Sequence, residues 1–145
     1  QYAVSPGDVL VSCVGTFGKV AVVPVNVEPG IINPRLVRLT PDTTAISSGY
    51  LGLLLQSRIA FDQMEQISRG GTMGVLNLGA LSTLLLPVPE LAEQSEIIAH
   101  VHRETAKLDS LMAKVRTAIE RLQEYRTALI SAAVTGQIDV REGAA

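Results

Sequence analysis

From about Leu91 to Val134 the sequence carries an unbroken heptad pattern. Stepping by sevens from Val101 reaches Leu108, Val115, Leu122 and Leu129, every one apolar. The companion positions are Glu104, Leu111, Ala118, Tyr125 and Ala132, apolar except for the first. Such a seam, held over four to five heptads, predicts one helix with a coiled-coil face. At 1.5 Å per residue the helix would run roughly 65 Å. An amphipathic helix can simply lie on its own domain, but this one is too long for the domain that precedes it. The length predicts a spacer or a pairing surface. Ala118 and Ala132, opposite larger residues, suit close antiparallel packing. Tyr125 needs a wet edge for its hydroxyl.

The residues before the helix must supply a core with almost no aromatic side chains, since these make up 3% of the chain. Val, Leu, Ile and Ala therefore carry it. The hydrophobic share of 47% excludes a disordered chain. A single cysteine, Cys13, allows no internal disulfide and points to the cytoplasm. No run approaches the length of a membrane span, and no basic-then-apolar leader opens the chain. The first residue is Gln1 rather than Met, the expectation for a fragment or processed chain.

Charge is evenly spread. Up to Pro89, Lys19, Arg35, Arg38, Arg58 and Arg69 balance Asp8, Glu28, Asp42, Asp62 and Glu65. The remainder is mildly acidic, and the net charge is −2. That is not the footprint of a nonspecific DNA binder, so any DNA contact must come from local clustering.

Along the chain, Gly7 to Val14 reads as a strand apolar on both faces. A turn at Gly15-Thr16-Phe17-Gly18 leads into a second strand, Lys19 to Val23. A loop from Pro24 to Pro34 precedes a third strand, Arg35 to Thr40, with one wet edge. Ser47 and Ser48 offer a cap for a helix running to about Gln66. A glycine-rich loop spans Ser68 to Gly74. A turn near Gly79 to Ser82 and a closing strand, Leu84 to Pro89, follow. The long helix begins after Pro89 with Glu90, Glu93 and Glu96 near its positive end. Gly136 is placed to stop it. The expected organisation is a compact domain over 1–89, the helix over 90–136 and a short extended tail over 137–145.

These segments, in this order, resemble the specificity subunit of type I restriction–modification systems. Gly7-Asp8-Val9-Leu10 with Gly15-Thr16-Phe17-Gly18-Lys19-Val20-Ala21 is similar to that family's opening segment. Gly71-Thr72 and then Leu86-Pro87-Val88-Pro89 look like the end of its target-recognition domain. Gln94 and Ile97 open the helix as in the family's conserved region. Leu122, Glu124, Arg126, Leu129-Ile130 and Val134 to Asp139 close it in the same manner. The resemblance implies an α+β fold, a small mixed α/β target-recognition domain followed by one long coiled-coil helix. It implies that residues 1–89 hold only part of a recognition domain. It implies no chemistry in this chain: recognition of double-stranded DNA, and docking of a modification subunit that uses S-adenosylmethionine and of a restriction subunit that uses ATP and magnesium. The long helix would pair antiparallel with a second, from the other half of such a subunit or from a second copy, and set the spacing of two DNA half-sites. The alternative is a coiled-coil tether with a protein-interaction head and no DNA binding.

The candidate DNA contacts are Lys19, Arg69, Gly71, Thr72 and Asn77. Gly15 to Lys19 is not a phosphate loop. Two residues separate its glycines rather than four, Val20 follows Lys19, and a strand comes next. The segment reads as a strand-connecting turn whose Lys19 can still meet a phosphate. Arg69 to Gly74 reads either as a loop whose backbone approaches phosphates while Arg69 reads guanine or phosphate, or as a plain connector with a solvated Arg. Asn77 either meets a base edge or caps locally. His100 and His102 point about 200° apart on the helix and cannot share a metal. Cys13 reads as core. No nucleophile–base pair or paired-carboxylate pattern stands out. The coiled-coil residues are Val101, Leu108, Leu111, Val115, Ala118, Leu122, Tyr125, Leu129 and Ala132.

Overall fold

A computed structural model of the protein describes residues 2–13, 18–69 and 78–138. Its elements are strands β1 (Val9–Ser12), β2 (Val20–Val22) and β3 (Leu36–Leu39), then helices α1 (Ser48–Gln56), α2 (Arg58–Arg69), α3 (Leu78–Leu81) and α4 (Leu91–Val134). The fold is α+β, a small antiparallel sheet with helices followed by one long helix. The chain divides into two compact units, Gln1–His100 and Val101–Ala145. The opening turns of α4 thus belong to the first unit. Among the described residues, no helix is long and apolar enough to cross a membrane.

The sheet has the order β2-β1-β3, with β1 pairing antiparallel on both sides. Val9 faces Val22 on one neighbour and Leu39 on the other. The central place of β1 explains its apolar sequence: Val9, Val11 and Cys13 are all buried. They join Leu55 of α1, Ala60 and Met64 of α2, and Leu81 of α3 in one core, flanked by Val20, Val37, Leu39 and Leu51. Cys13 lies in this core, and burial pushes its thiol up.

The chain enters β1 through a tight turn. Asp8 donates its N–H to the Ser5 carbonyl at 3.1 Å, with Pro6 and Gly7 between. Gly7 has φ 85°, the left-handed value that the third residue of a type II turn requires. The Asp8 side chain is 2% exposed and fully engaged. Its Oδ2 accepts from Ser5 N–H at 2.8 Å, and its Oδ1 accepts from the Thr40 hydroxyl at 2.7 Å. Arg38 Nε lies 3.8 Å from Oδ2, and the same guanidinium donates to the Ala3 carbonyl. Burial pushes the Asp8 carboxyl up, but the Thr40, Ser5 and Arg38 contacts outweigh it and hold it below its ordinary value.

Helical spacing from Ser48 onward predicts a single helix, but there are two. Ser57 adopts an extended backbone (φ −68°, ψ 155°) and breaks the run. It serves both ends. Its N–H donates to Leu54 O at 3.0 Å, closing α1. Its hydroxyl accepts from Ala60 N–H at 3.3 Å, opening α2. Gly52 lets α1 sit close on the sheet, since a Cβ there would stand 2.6 Å from Val22 Cγ2.

Two other expectations are corrected. The turn predicted near Gly79 to Ser82 is mostly the short helix α3. Among the described residues, the closing strand predicted over Leu84 to Pro89 joins no sheet. Pro87 and Pro89 bring no N–H, so a ladder could not run through them. Instead Gln63 of α2 imitates a neighbouring strand at Leu85. Its Nε2 donates to Leu85 O and its Oε1 accepts from Leu85 N–H, both at 2.9 Å.

α4 ends as its sequence predicts. Gly136 has φ 71°. Gln137 N–H donates to Ala132 O at 2.8 Å and Gly136 N–H to Ala133 O at 3.3 Å, the paired bonds of a Schellman cap.

Candidate nucleic-acid interface and helix seam

The described candidate contacts lie along α2 and the β1–β2 connection. Lys19 is exposed, immediately before β2. Its carbonyl accepts from Ser12 N–H at 2.8 Å, which fixes its backbone to the sheet and leaves its side chain outside the core. The preceding Gly18 has φ 74° and sits under Phe61 of α2; a Cβ there would stand 3.1 Å from the ring. Arg69 is the last residue of α2. Eight residues at 1.5 Å each put its backbone about 12 Å along the axis from Phe61. The Arg69 side chain, with Gly71, Thr72 and Asn77, lies outside the described residues. Among the described residues, no group of three or more His, Cys, Asp or Glu is placed to hold a metal ion.

The seam of α4 is laid out in full. Leu108, Leu111, Val115, Leu122, Tyr125 and Leu129 are all exposed, Leu122 and Tyr125 at 67%. Ala118 is exposed, while Val101 and Ala132 are half-buried. Met112 and Ile119 extend the same face by one position per heptad and are exposed too. Both flank the two central positions that repeat by sevens, where the heptad pattern alone does not single them out. Apart from Glu104, these positions form an apolar face left largely exposed along α4.

The beginning of α4 shows how the first unit holds it. Gln94 is 0% exposed. Its Oε1 accepts from Ser47 N–H at 2.9 Å. Its Nε2 donates to Ala45 O at 2.9 Å and to Pro89 O at 2.8 Å. Tyr50 adds a bond from its hydroxyl to Pro87 O at 3.1 Å. Gln94 falls seven residues before Val101, on the seam itself. A polar residue at a seam position signals a specific partner, and here the partner is the domain's own backbone. The sequence places Gln94 at the opening of the helix but does not reveal this clamp.

A sheet-and-helix unit that grips the start of a long helix with an apolar seam meets its match in one family model. The type I restriction modification DNA specificity domain matches residues 1–121. The chain belongs to this family. Among curated relatives, the specificity subunit of the type I restriction enzyme EcoBI from Escherichia coli is 27% identical over 135 residues, covering 93% of this chain and 28% of that protein. The StySPI specificity subunit from Salmonella potsdam is 26% identical over 93 residues, covering 64% of this chain and 20% of its own length. The crystal structure of the HsdS subunit from Thermoanaerobacter tengcongensis shares the fold, with a TM-score of 0.67 at 18% identity over 75% of this chain and 28% of that one. This specificity-domain chain therefore spans between a fifth and little more than a quarter of the length of these relatives.

Proposed function

We propose that this chain is a non-catalytic DNA-recognition and scaffolding segment of a type I restriction–modification specificity subunit. The observation that carries the reading is the extent of the family match, which runs through the sheet unit and most of α4 together. On this reading the sheet unit meets double-stranded DNA through Lys19 and the stretch from Arg69 to Asn77. Arg69 reads a guanine edge or a phosphate, Lys19 a phosphate, and Gly71 and Thr72 bring backbone N–H groups close to the sugar–phosphate chain. The balanced charge of residues 1–89 suits recognition by a few placed contacts rather than by a general field.

α4 then acts as a ruler. Its seam, Val101, Leu108, Leu111, Val115, Ala118, Leu122, Tyr125, Leu129 and Ala132, packs antiparallel on a second helix, and the pair fixes the separation of two half-sites. The Gln94 clamp suits this role, because a ruler must be fastened to what it positions. Methylation with S-adenosylmethionine and cleavage with ATP and magnesium belong to modification and restriction subunits docked on this scaffold.

The test is DNA binding by the assembled subunit as a function of salt. Recognition predicts affinity that depends on DNA sequence and falls steeply with salt. Replacing Arg69 by Ala should lower specific affinity by about 1–3 kcal/mol if it reads a base. No binding even at low salt would favour a protein-binding tether, and binding that ignores DNA sequence would overturn the recognition reading.

A further inference from the structure

The charged residues ahead of α2 are Asp8, Lys19, Glu28, Arg35, Arg38 and Asp42. Asp8 and Arg38 pair with each other. The other four are exposed and sort by strand end. Lys19 and Arg35 immediately precede β2 and β3, whereas Glu28 and Asp42 follow those strands. Both strands run antiparallel to β1, so Lys19 and Arg35 stand together where β1 finishes. Among the described residues neither forms an ion pair with a carboxylate, Glu65 of α2 included.

Consecutive residues of β1 hold the two in place. Ser12 N–H donates to Lys19 O at 2.8 Å on one side, and Cys13 N–H donates to Arg35 O at 3.1 Å on the other. Asn33 secures Arg35 further. Its Oδ1 accepts Arg35 N–H, and its carbonyl accepts Leu36 N–H, both at 3.0 Å. Asn at the first position and Pro34 at the second are the residues such a turn favours. Two strand spacings of about 4.8 Å put the two backbones about 10 Å apart. Consecutive positions of a strand face opposite ways, so the two cations straddle the end of the sheet rather than meet at one point.

A pair held at this spacing suits a polyanion with evenly spaced charges. One DNA strand rises about 3.4 Å per phosphate, so three steps cover the gap. We propose that Arg35 is a further DNA contact, acting with Lys19 as a two-point clamp. Each cation takes a separate phosphate, which seats the sheet on the duplex without reading its sequence. The inference rests on the DNA recognition given under Proposed function.

The assembled subunit carrying Lys19→Ala, Arg35→Ala, both changes, or Arg35→Lys tests it. Fluorescence anisotropy follows binding to a duplex selected from a random library and to its scrambled version, at salt from about 50 to 200 mM. Each alanine is expected to reduce the slope of log affinity against log salt by about 0.9, and the pair by about 1.8. Both duplexes should lose affinity by the same factor. Arg35→Lys should keep the slope, because a phosphate accepts Lys as a point charge. An unchanged slope with Arg35→Ala, or a loss confined to the selected duplex, would overturn the clamp and leave the recognition reading standing. An unaltered subunit that binds neither duplex at low salt would remove that reading, and the inference with it.

Discussion

Gln94 Oε1 accepts the backbone N–H of Ser47 across 2.9 Å, joining residues 47 positions apart. The same amide donates to Ala45 O and Pro89 O. One buried side chain thus satisfies three backbone groups and fastens the start of α4 to the loop that opens α1. Leu at this position would fill similar space and leave all three groups without their partner. These backbone groups are only part-buried and can turn to water, so each costs no more than the low end of the about 1–3 kcal/mol of a fully buried orphan. Gln94→Leu is expected to lose about 2–3 kcal/mol and lower Tm by at least roughly 8 °C. Differential scanning calorimetry checks this. An unchanged Tm would mean that the clamp orients the helix without stabilising the unit.

Asp8 gives the first unit an acid-side dependence. Its carboxyl is held below its ordinary value of 3.8 in the folded state. A depressed folded value means the charged form is favoured by folding. Its contribution is complete above the unfolded value and is lost as pH falls through the folded one. Stability should therefore decline on acidification below about pH 4. Asp8→Asn should be less stable than the unaltered chain at pH 7 by about 1–3 kcal/mol, and the difference should shrink as pH falls through that window. Urea unfolding at a series of pH values reads both. A gap that stays constant down to pH 2 would contradict the assignment.

Gly52 sits where α1 crosses β2. Ala in a helix interior normally gains about 1 kcal/mol over Gly. Here the new methyl would stand 2.6 Å from Val22 Cγ2, and overpacking costs about 1–3 kcal/mol. The clash outweighs the propensity, so Gly52→Ala is expected to destabilise. Val22→Ala should restore part of the loss when combined with it. A double-mutant cycle measures this coupling. Additive effects would show that α1 simply shifts away.

Much of this architecture is legible in the sequence, for identifiable reasons. α4 is legible because its seam repeats over dozens of residues and Gly136 supplies the positive φ that ends it. The three strands are legible from short Val- and Leu-rich runs bounded by turn residues. The break between α1 and α2 is not, because the apolar spacing continues through Ser57 and only its backbone shows that it caps both helices. The stretch from Leu84 to Pro89 has strand-like apolar residues, yet its prolines forbid a ladder and Gln63 takes the neighbour's place. Gln94 illustrates the general limit. Its spacing places it on the seam, but its three partners lie five to 49 residues away and only folding brings them there. Of the candidate DNA contacts, Lys19 is found exposed beside the sheet. Gly71, Thr72 and Asn77 belong to a stretch outside the described residues.

The central claim is that α4 sets the distance between two DNA half-sites, and lengthening it tests this most directly. One heptad inserted within 108–129 keeps the seam in phase. At 1.5 Å per residue it adds about 10 Å, close to the rise of three base pairs at about 3.4 Å each. The insertion belongs in both helices of the assembled subunit, so that the pair lengthens together. The readout is selection from a DNA library in which the spacer between half-sites varies. The account predicts that the preferred spacer grows by about three base pairs while the half-site sequences stay the same. A preferred spacer that does not move would contradict it.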